Sequence, residues 1–208
     1  MKNAIVFGCG SKNGIPVIDA LLNQKYNVTN IGSSILDRKN VKNIQIEWKN
    51  IDIPFIHKTL SKIIENIDFI FFNQNSSTLT KDDFVNNKHN TVFIWQQIKN
   101  WSNSHWISCQ MPFLVLHTLK DKLHKDSKVG WMLSNYIDYK TNNVEKFVDY
   151  SSFKFTNYLT MKNFSKNSNF KTFGIIPDFN KDVSKNTLRE LITEILIKNT
   201  KSGEIFKL

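Results

Sequence analysis

The run Phe69-Ile70-Phe71-Phe72 is apolar at four consecutive positions, entered from Asp68 and closed by Asn73. A strand with one wet face alternates, so a short unbroken run predicts a strand buried on both sides, as in a parallel sheet covered by helices. Ala4-Ile5-Val6-Phe7 reads the same way. Around these runs, short apolar segments take turns with amphipathic stretches. Strands are expected at 4–7, 27–31, 44–48, 68–72, 129–133 and 170–176, and helices at 16–23, 56–64, 90–102, 107–123, 149–165 and 186–198. This alternation predicts a doubly wound parallel sheet in three layers, α/β/α. At 208 residues, with no composition break, internal repeat or low-complexity linker, the chain is expected to form a single domain over 1–208.

The formal net charge of +10 raises the question of nucleic acid. Of the 28 basic residues only Arg38 and Arg189 are arginine, and lysine is spread along the chain beside 26 asparagines. Surfaces that grip phosphate or read bases lean on the forked guanidinium, so this pattern argues against a nucleic-acid partner. The charge favours small anionic ligands, diffusely. Cys9 and Cys109 have neither metal-ligand spacing nor the density of a disulfide scaffold, which points to a reducing compartment. The apolar start at 4–7 is too short for a signal peptide or a spanning helix, so a cytoplasmic location is expected, with no membrane partner.

Residues 4–7 run into Gly8-Cys9-Gly10-Ser11-Lys12-Asn13-Gly14-Ile15-Pro16, and a helix follows. A glycine turn between strand and helix lets the backbone approach a pyrophosphate, and the helix N-terminus adds partial positive charge. The segment resembles the Thr-Gly-x-x-x-Gly-Ile-Gly loop of the short-chain dehydrogenases/reductases, a Rossmann-like family, with Cys9 in place of Thr and Pro16 in place of the last glycine. Proline is tolerated in a first helical turn because its missing N–H would be unpaired there anyway.

The resemblance implies a nicotinamide dinucleotide on Gly8, Gly10, Ser11, Lys12, Asn13, Gly14 and Ile15. Gly32-Ser33-Ser34 stand where a carboxylate would accept from the ribose hydroxyls of NAD. With Ser33 at that place, Lys12 in the loop and Arg38 shortly after, NADP(H) is favoured over NAD(H). Asp52 and Ile53 match the family's Asp-hydrophobic pair at the adenine. Asn73 matches the start of its Asn-Asn-Ala-Gly segment, where Gln74 and Asn75 replace small residues. Pro177 belongs to a stretch resembling the family's Pro-Gly segment, with Asp178 replacing the glycine.

Tyr150 and Lys154 are four apart on an expected helix, which places a phenol beside an ammonium on one face. A nearby cation lowers the phenol's pKa and makes it a usable acid or base nearer neutral pH. The pair stands where the family keeps its Tyr-x-x-x-Lys, after the fifth strand. Ser134 ends that strand, 16 positions before Tyr150. By resemblance Ser134, Tyr150 and Lys154 are catalytic: Ser134 orients the carbonyl oxygen, Tyr150 moves the proton, and Lys154 lowers its pKa and grips the nicotinamide ribose. Ser108 falls where the family has an asparagine, and is shorter.

The implied activity is an oxidoreductase interconverting a carbonyl and an alcohol by hydride transfer, on a small-molecule substrate. The alternative is a catalytically impaired nucleotide-binding or scaffold protein, which Gln74, Asn75 and Ser108 favour. The family's substrate-covering lid is expected to be missing, since 29 residues follow Phe179. The aromatic stretch 101–106 is expected to pack within the helices. A homo-dimer or homo-tetramer is expected by resemblance, through the helices before and after the fifth strand.

Overall fold

The structure is a computed structural model that describes residues 1–10, 13–47, 53–63, 65–74, 102–134, 137, 148–177 and 184–208; of 148–150 only the backbone is described. Seven parallel strands form one sheet: β1 (Lys2–Phe7), β2 (Tyr26–Gly32), β3 (Val41–Gln45), β4 (Ile67–Phe72), β5 (Leu123–Met132), β6 (Lys171–Ile176) and β7 (Glu204–Lys207), in the order β3-β2-β1-β4-β5-β6-β7. Helices α1 (Gly14–Asn23), α2 (Ile53–Leu60), α3 (Met111–Leu119), α4 (Val148–Asn167) and α5 (Lys185–Ile197) flank it. The doubly wound parallel sheet expected from the alternating runs is present.

The central strands are buried on both faces because their side chains alternate between two cores. Ala4, Val6, Phe69 and Phe71 join α1 and α5 through Val17, Ile18, Leu21, Leu188, Ile192 and Ile195. Ile5, Phe7, Ile70 and Phe72 face α2, α3 and α4 through Leu60, Val115, Leu119 and Met161. Stacked rings reinforce each core: Phe7 on Phe72 at 5.2 Å, and Phe71 on Phe173 at 6.1 Å between centroids.

Several boundaries differ from the sequence reading. The third strand is Val41–Gln45, earlier than 44–48, because side-chain amides fix it: Asn30 Nδ2 donates to Asn43 Oδ1 at 2.8 Å, and Asn43 closes both backbone groups of Leu36. Helix α2 starts at Ile53, with Pro54 in its first turn. The single helix expected at 107–123 is a π-helical turn (Trp106–Gln110), then α3, then a short 3-10 turn (Lys120–Lys122), and Leu123 already belongs to β5. A register shift between Ile67 and Phe69 absorbs the early start of β5, with Ser127 Oγ donating to the Ile67 carbonyl at 2.6 Å. Of the helix expected at 90–102 only Ser102 is described, in a helical stretch leading into the π turn.

Strand β7 was not expected. It pairs with β6 after a turn at Gly203, whose φ of +81° is the left-handed region that suits glycine. Lys128 was also unforeseen as a core residue. Its Nζ donates to the carbonyls of Ile195, Leu196 and Lys198 and so closes the C-terminal end of α5. Burial pushes its pKa down to about 8, with Lys171 and Lys2 adding to the shift.

Candidate functional site

Strand β1 lies between β2 and β4, where the strand order reverses, and such a reversal opens a crevice at the carboxyl ends of the strands. Gly8 leaves β1 with φ +76°, and a Cβ there would lie 2.9 Å from the Gln74 backbone nitrogen. Only glycine fits both the angle and the approach. The turn is clasped from both neighbouring strands. Gly8 N–H donates to the Ile31 carbonyl at 3.0 Å, Asn73 N–H donates to the Phe7 carbonyl at 3.0 Å, and Asn73 Nδ2 donates to the Gly8 carbonyl at 2.8 Å.

After the turn, Gly10 lies against the Ser34 hydroxyl, and Gly14 packs on the loop so closely that a Cβ would stand 2.5 Å from the Cys9 carbonyl oxygen. Cys9, buried beneath, has its thiol pushed up to about 11 by burial and is an inert packing group. Asn13 caps α1 without a side-chain hydrogen bond, and the first turn, with Ile15 half-buried, holds no acidic residue. Ser11 and Lys12 lie outside the described residues.

At the end of β2, Ser33 is exposed, and its carbonyl accepts from Gln45 Nε2 at 3.3 Å. Arg38, expected near a 2′-phosphate, is instead paired with Asp19 of α1. Ile53 is exposed at the start of α2, while Asp52 lies outside the described residues.

On the other side of the crevice, α4 carries Tyr150 in its first turn and Lys154 one turn on. The Tyr150 side chain lies outside the described residues. Lys154 is 4% exposed, and its Nζ donates to the Met132 carbonyl, the last of β5, at 2.7 Å. Burial pushes its pKa down to about 7, partly offset by Cys109. Ser134, fully buried two residues beyond β5, takes the Ile137 amide on its carbonyl at 3.2 Å. Lys154 and Ser134 are therefore both placed at the carboxyl end of β5. Pro177 is buried directly after β6.

Ser108 and Cys109 sit buried on the π turn. The Cys109 thiol lies 3.8 Å from the Phe153 carbonyl on α4, and burial pushes it up to about 11 despite Thr156 and Lys154. Sequence reasoning assigned Cys109 no role and did not see the π turn; the one signal available was Pro112, which disrupts regular helical bonding around it. Among the described residues, no group of three or more His, Cys, Asp or Glu side chains is placed to hold a metal ion, and no helix is long and apolar enough to cross a membrane.

No family profile and no curated protein matches the sequence. Solved structures do match the fold. A short-chain dehydrogenase family protein from Francisella tularensis subsp. tularensis SCHU S4 superposes with TM-score 0.76 at 15% identity, covering 100% of this chain and 97% of its own. An oxidoreductase of the short-chain dehydrogenase/reductase family from Brucella ovis, in complex with a partially ordered NAD, gives TM-score 0.74 at 10% identity, covering 100% and 99%. BdcA in complex with NADPH gives TM-score 0.75 at 9% identity, covering 100% and 92%. The seven-stranded parallel sheet flanked by helices is therefore the fold of the short-chain dehydrogenase/reductase proteins.

Proposed function

We propose that the chain is a nicotinamide-dinucleotide-dependent oxidoreductase that interconverts a carbonyl and an alcohol on a small molecule. The observation that carries this reading is the glycine turn at the strand-order reversal, clasped through Gly8 and Asn73 in front of the N-terminus of α1. A pyrophosphate fits such a cradle, because N–H groups and the helix dipole both favour an anion there. Gly8, Gly10, Ser11, Lys12, Asn13, Gly14 and Ile15 would hold it. Asp52 and Ile53 would border the adenine, and Asn73 and Pro177 the nicotinamide half. The absence of a carboxylate in Gly32-Ser33-Ser34 supports NADP(H) over NAD(H), with Ser33 and Lys12 as its partners.

The bound nicotinamide supplies the hydride chemistry. Ser134 donates a hydrogen bond to the substrate oxygen and stabilises its developing charge. Tyr150 gives that oxygen a proton or takes it away, and the Lys154 ammonium holds the phenol's pKa down. Titration of purified protein with NADPH and NADH, followed by nicotinamide fluorescence, tests the reading. Binding that Gly14→Asp abolishes supports it, and a carbonyl screen with Tyr150→Phe as control follows. Failure of both dinucleotides to bind overturns it.

One observation favours a second reading, a nucleotide-binding or scaffold protein without turnover. Lys154 is turned inward onto the Met132 carbonyl, and with a pKa near 7 it is only partly charged at neutral pH. Dinucleotide binding with no turnover across the carbonyl panel would select it. A homo-oligomer formed through α3 and α4 is part of the proposal, supported by Phe113, Phe155 and Leu159, large apolar side chains that are exposed on these helices.

A further inference from the structure

Gln74 follows β4 at the carboxyl edge of the sheet and is only 7% exposed. Its backbone lies against Gly8, where a Cβ would meet its nitrogen at 2.9 Å. Its side chain reaches the π turn, where Nε2 donates to the Ile107 carbonyl at 3.3 Å.

That carbonyl needs an outside donor for a reason written in the sequence. Within the π turn the Met111 amide is given to Trp106, five residues back. Pro112, next in line, has no N–H to give. The Ile107 oxygen thus loses both its α-helical and its π-helical partner, and the Gln74 carboxamide replaces them. Because a carbonyl can only accept, the carboxamide nitrogen must face Ile107, which fixes where Oε1 points. Oε1 is buried and has no hydrogen-bond partner among the described residues. Buried polar atoms are rarely left in that state unless a ligand, an ion or water completes them.

The other side of the π turn reaches the lysine. Cys109 packs on the carbonyl of Phe153, the residue before Lys154 on α4. Gln74 stands between the two halves of the site, with the glycine turn on its backbone and the lysine's support on its side chain.

We propose that Gln74 is a positioning residue that ties the glycine turn to the π turn through the Ile107 carbonyl, and that its buried Oε1 accepts a hydrogen bond from a hydroxyl or amide donor of the bound dinucleotide. The tether stands on the fold, whereas the acceptor role rests on the oxidoreductase reading above.

Hydrogen exchange at the amides of 106–114 in dinucleotide-free protein, together with fluorescence titration by NADPH and NADH, tests both roles on wild type and Gln74→Met. Methionine keeps the length of the side chain and offers neither N–H nor carbonyl. The variant is expected to exchange roughly fivefold or more faster at the π turn and to bind dinucleotide roughly three- to tenfold more weakly, the size of one lost hydrogen bond. Saturating dinucleotide slows π-turn exchange in the wild type more than in the variant. Unchanged exchange overturns the tether, and unchanged affinity overturns the acceptor role while leaving the oxidoreductase reading intact. A wild type that binds neither dinucleotide overturns that reading and the acceptor role together, and the exchange comparison still decides the tether. Gln74→Asn, a methylene too short to reach Ile107, gives the same pair of readouts should the methionine variant fail to fold.

Discussion

The Nζ of Lys154 donates its 2.7 Å hydrogen bond to the carbonyl oxygen of Met132, so an ammonium on α4 is moored to the last residue of β5 inside a dry contact. Burial is the largest cause of its lowered pKa, about 7, and the sign of the effect on stability follows. Above a folded-state pKa of about 7 and below the ordinary lysine value of 10.5, the unfolded chain binds a proton that the folded chain does not. Lys154 therefore makes the protein less stable toward pH 7 and lets it gain stability as pH rises. Lys128, lowered to about 8, acts in the same direction. Above about pH 9 the raised thiols of Cys9 and Cys109 oppose the trend, since the folded chain then keeps protons that the unfolded chain loses. The clean window is pH 7 to about 9. Urea midpoints measured across it are expected to rise with pH in the wild type and to rise less in Lys154→Met; equal slopes would mean that Lys154 is not titrating in the dry contact.

Tyr150→Phe removes the proposed proton donor without changing the ring. Turnover on any carbonyl that the wild type reduces is expected to fall by roughly 100-fold or more, the scale of a lost general acid. Dinucleotide affinity is expected to change by less than about threefold. Single-turnover kinetics beside a fluorescence titration separate the two, and full activity in the variant would remove Tyr150 from the mechanism.

Gly8→Ala meets two obstacles, the positive φ of +76° and the Gln74 nitrogen 2.9 Å from the new Cβ. A loss of about 1–3 kcal/mol in unfolding free energy is expected, together with weakened dinucleotide binding. Denaturant unfolding checks the first, and a stability equal to wild type would show that the clasp at Asn73 opens without cost.

Lys128→Met leaves the carbonyls of Ile195, Leu196 and Lys198 without their shared donor. A loss of about 1–3 kcal/mol is expected, because several buried acceptors lose one cationic partner. Exchange should quicken at the last turn of α5 first, since that end loses its closure. A uniform change along the helix would argue for a different role.

Phe155→Lys with Leu159→Lys puts two charges on the exposed apolar face of α4. If the chain self-associates there, light scattering coupled to gel filtration is expected to show the wild-type oligomer reduced to monomer. An unchanged mass would place the contact elsewhere.

The parallel core was legible because Phe69-Ile70-Phe71-Phe72 is an unbroken apolar run of strand length, which suits a doubly covered strand, and because glycine followed a strand at the crevice. The contacts that hold the crevice in shape were not legible. Asn73 was identified by resemblance, yet its clasp on Gly8 joins residues 65 apart in sequence. Lys128 reads as a surface charge in any pattern, and only the C-terminus of α5 turns it into a core residue. Strand β7 escaped notice because it is four residues long and none of them is fully buried. The long helix expected at 107–123 is broken beside Pro112 by the π turn, and with it the place where Gln74 meets the chain was hidden from the sequence.

The same distances have a consequence for a chain still emerging from the ribosome. The glycine turn is made early, but Asn73 must arrive to clasp it, and the buried face of α1 is completed only by Leu188, Ile192 and Ile195 of α5. Loop closure over such separations is slow and comes late. A nascent chain would carry the glycine loop long before it carries a pocket, so the proposed capture of a dinucleotide would first become possible when early and late parts of the polypeptide have met.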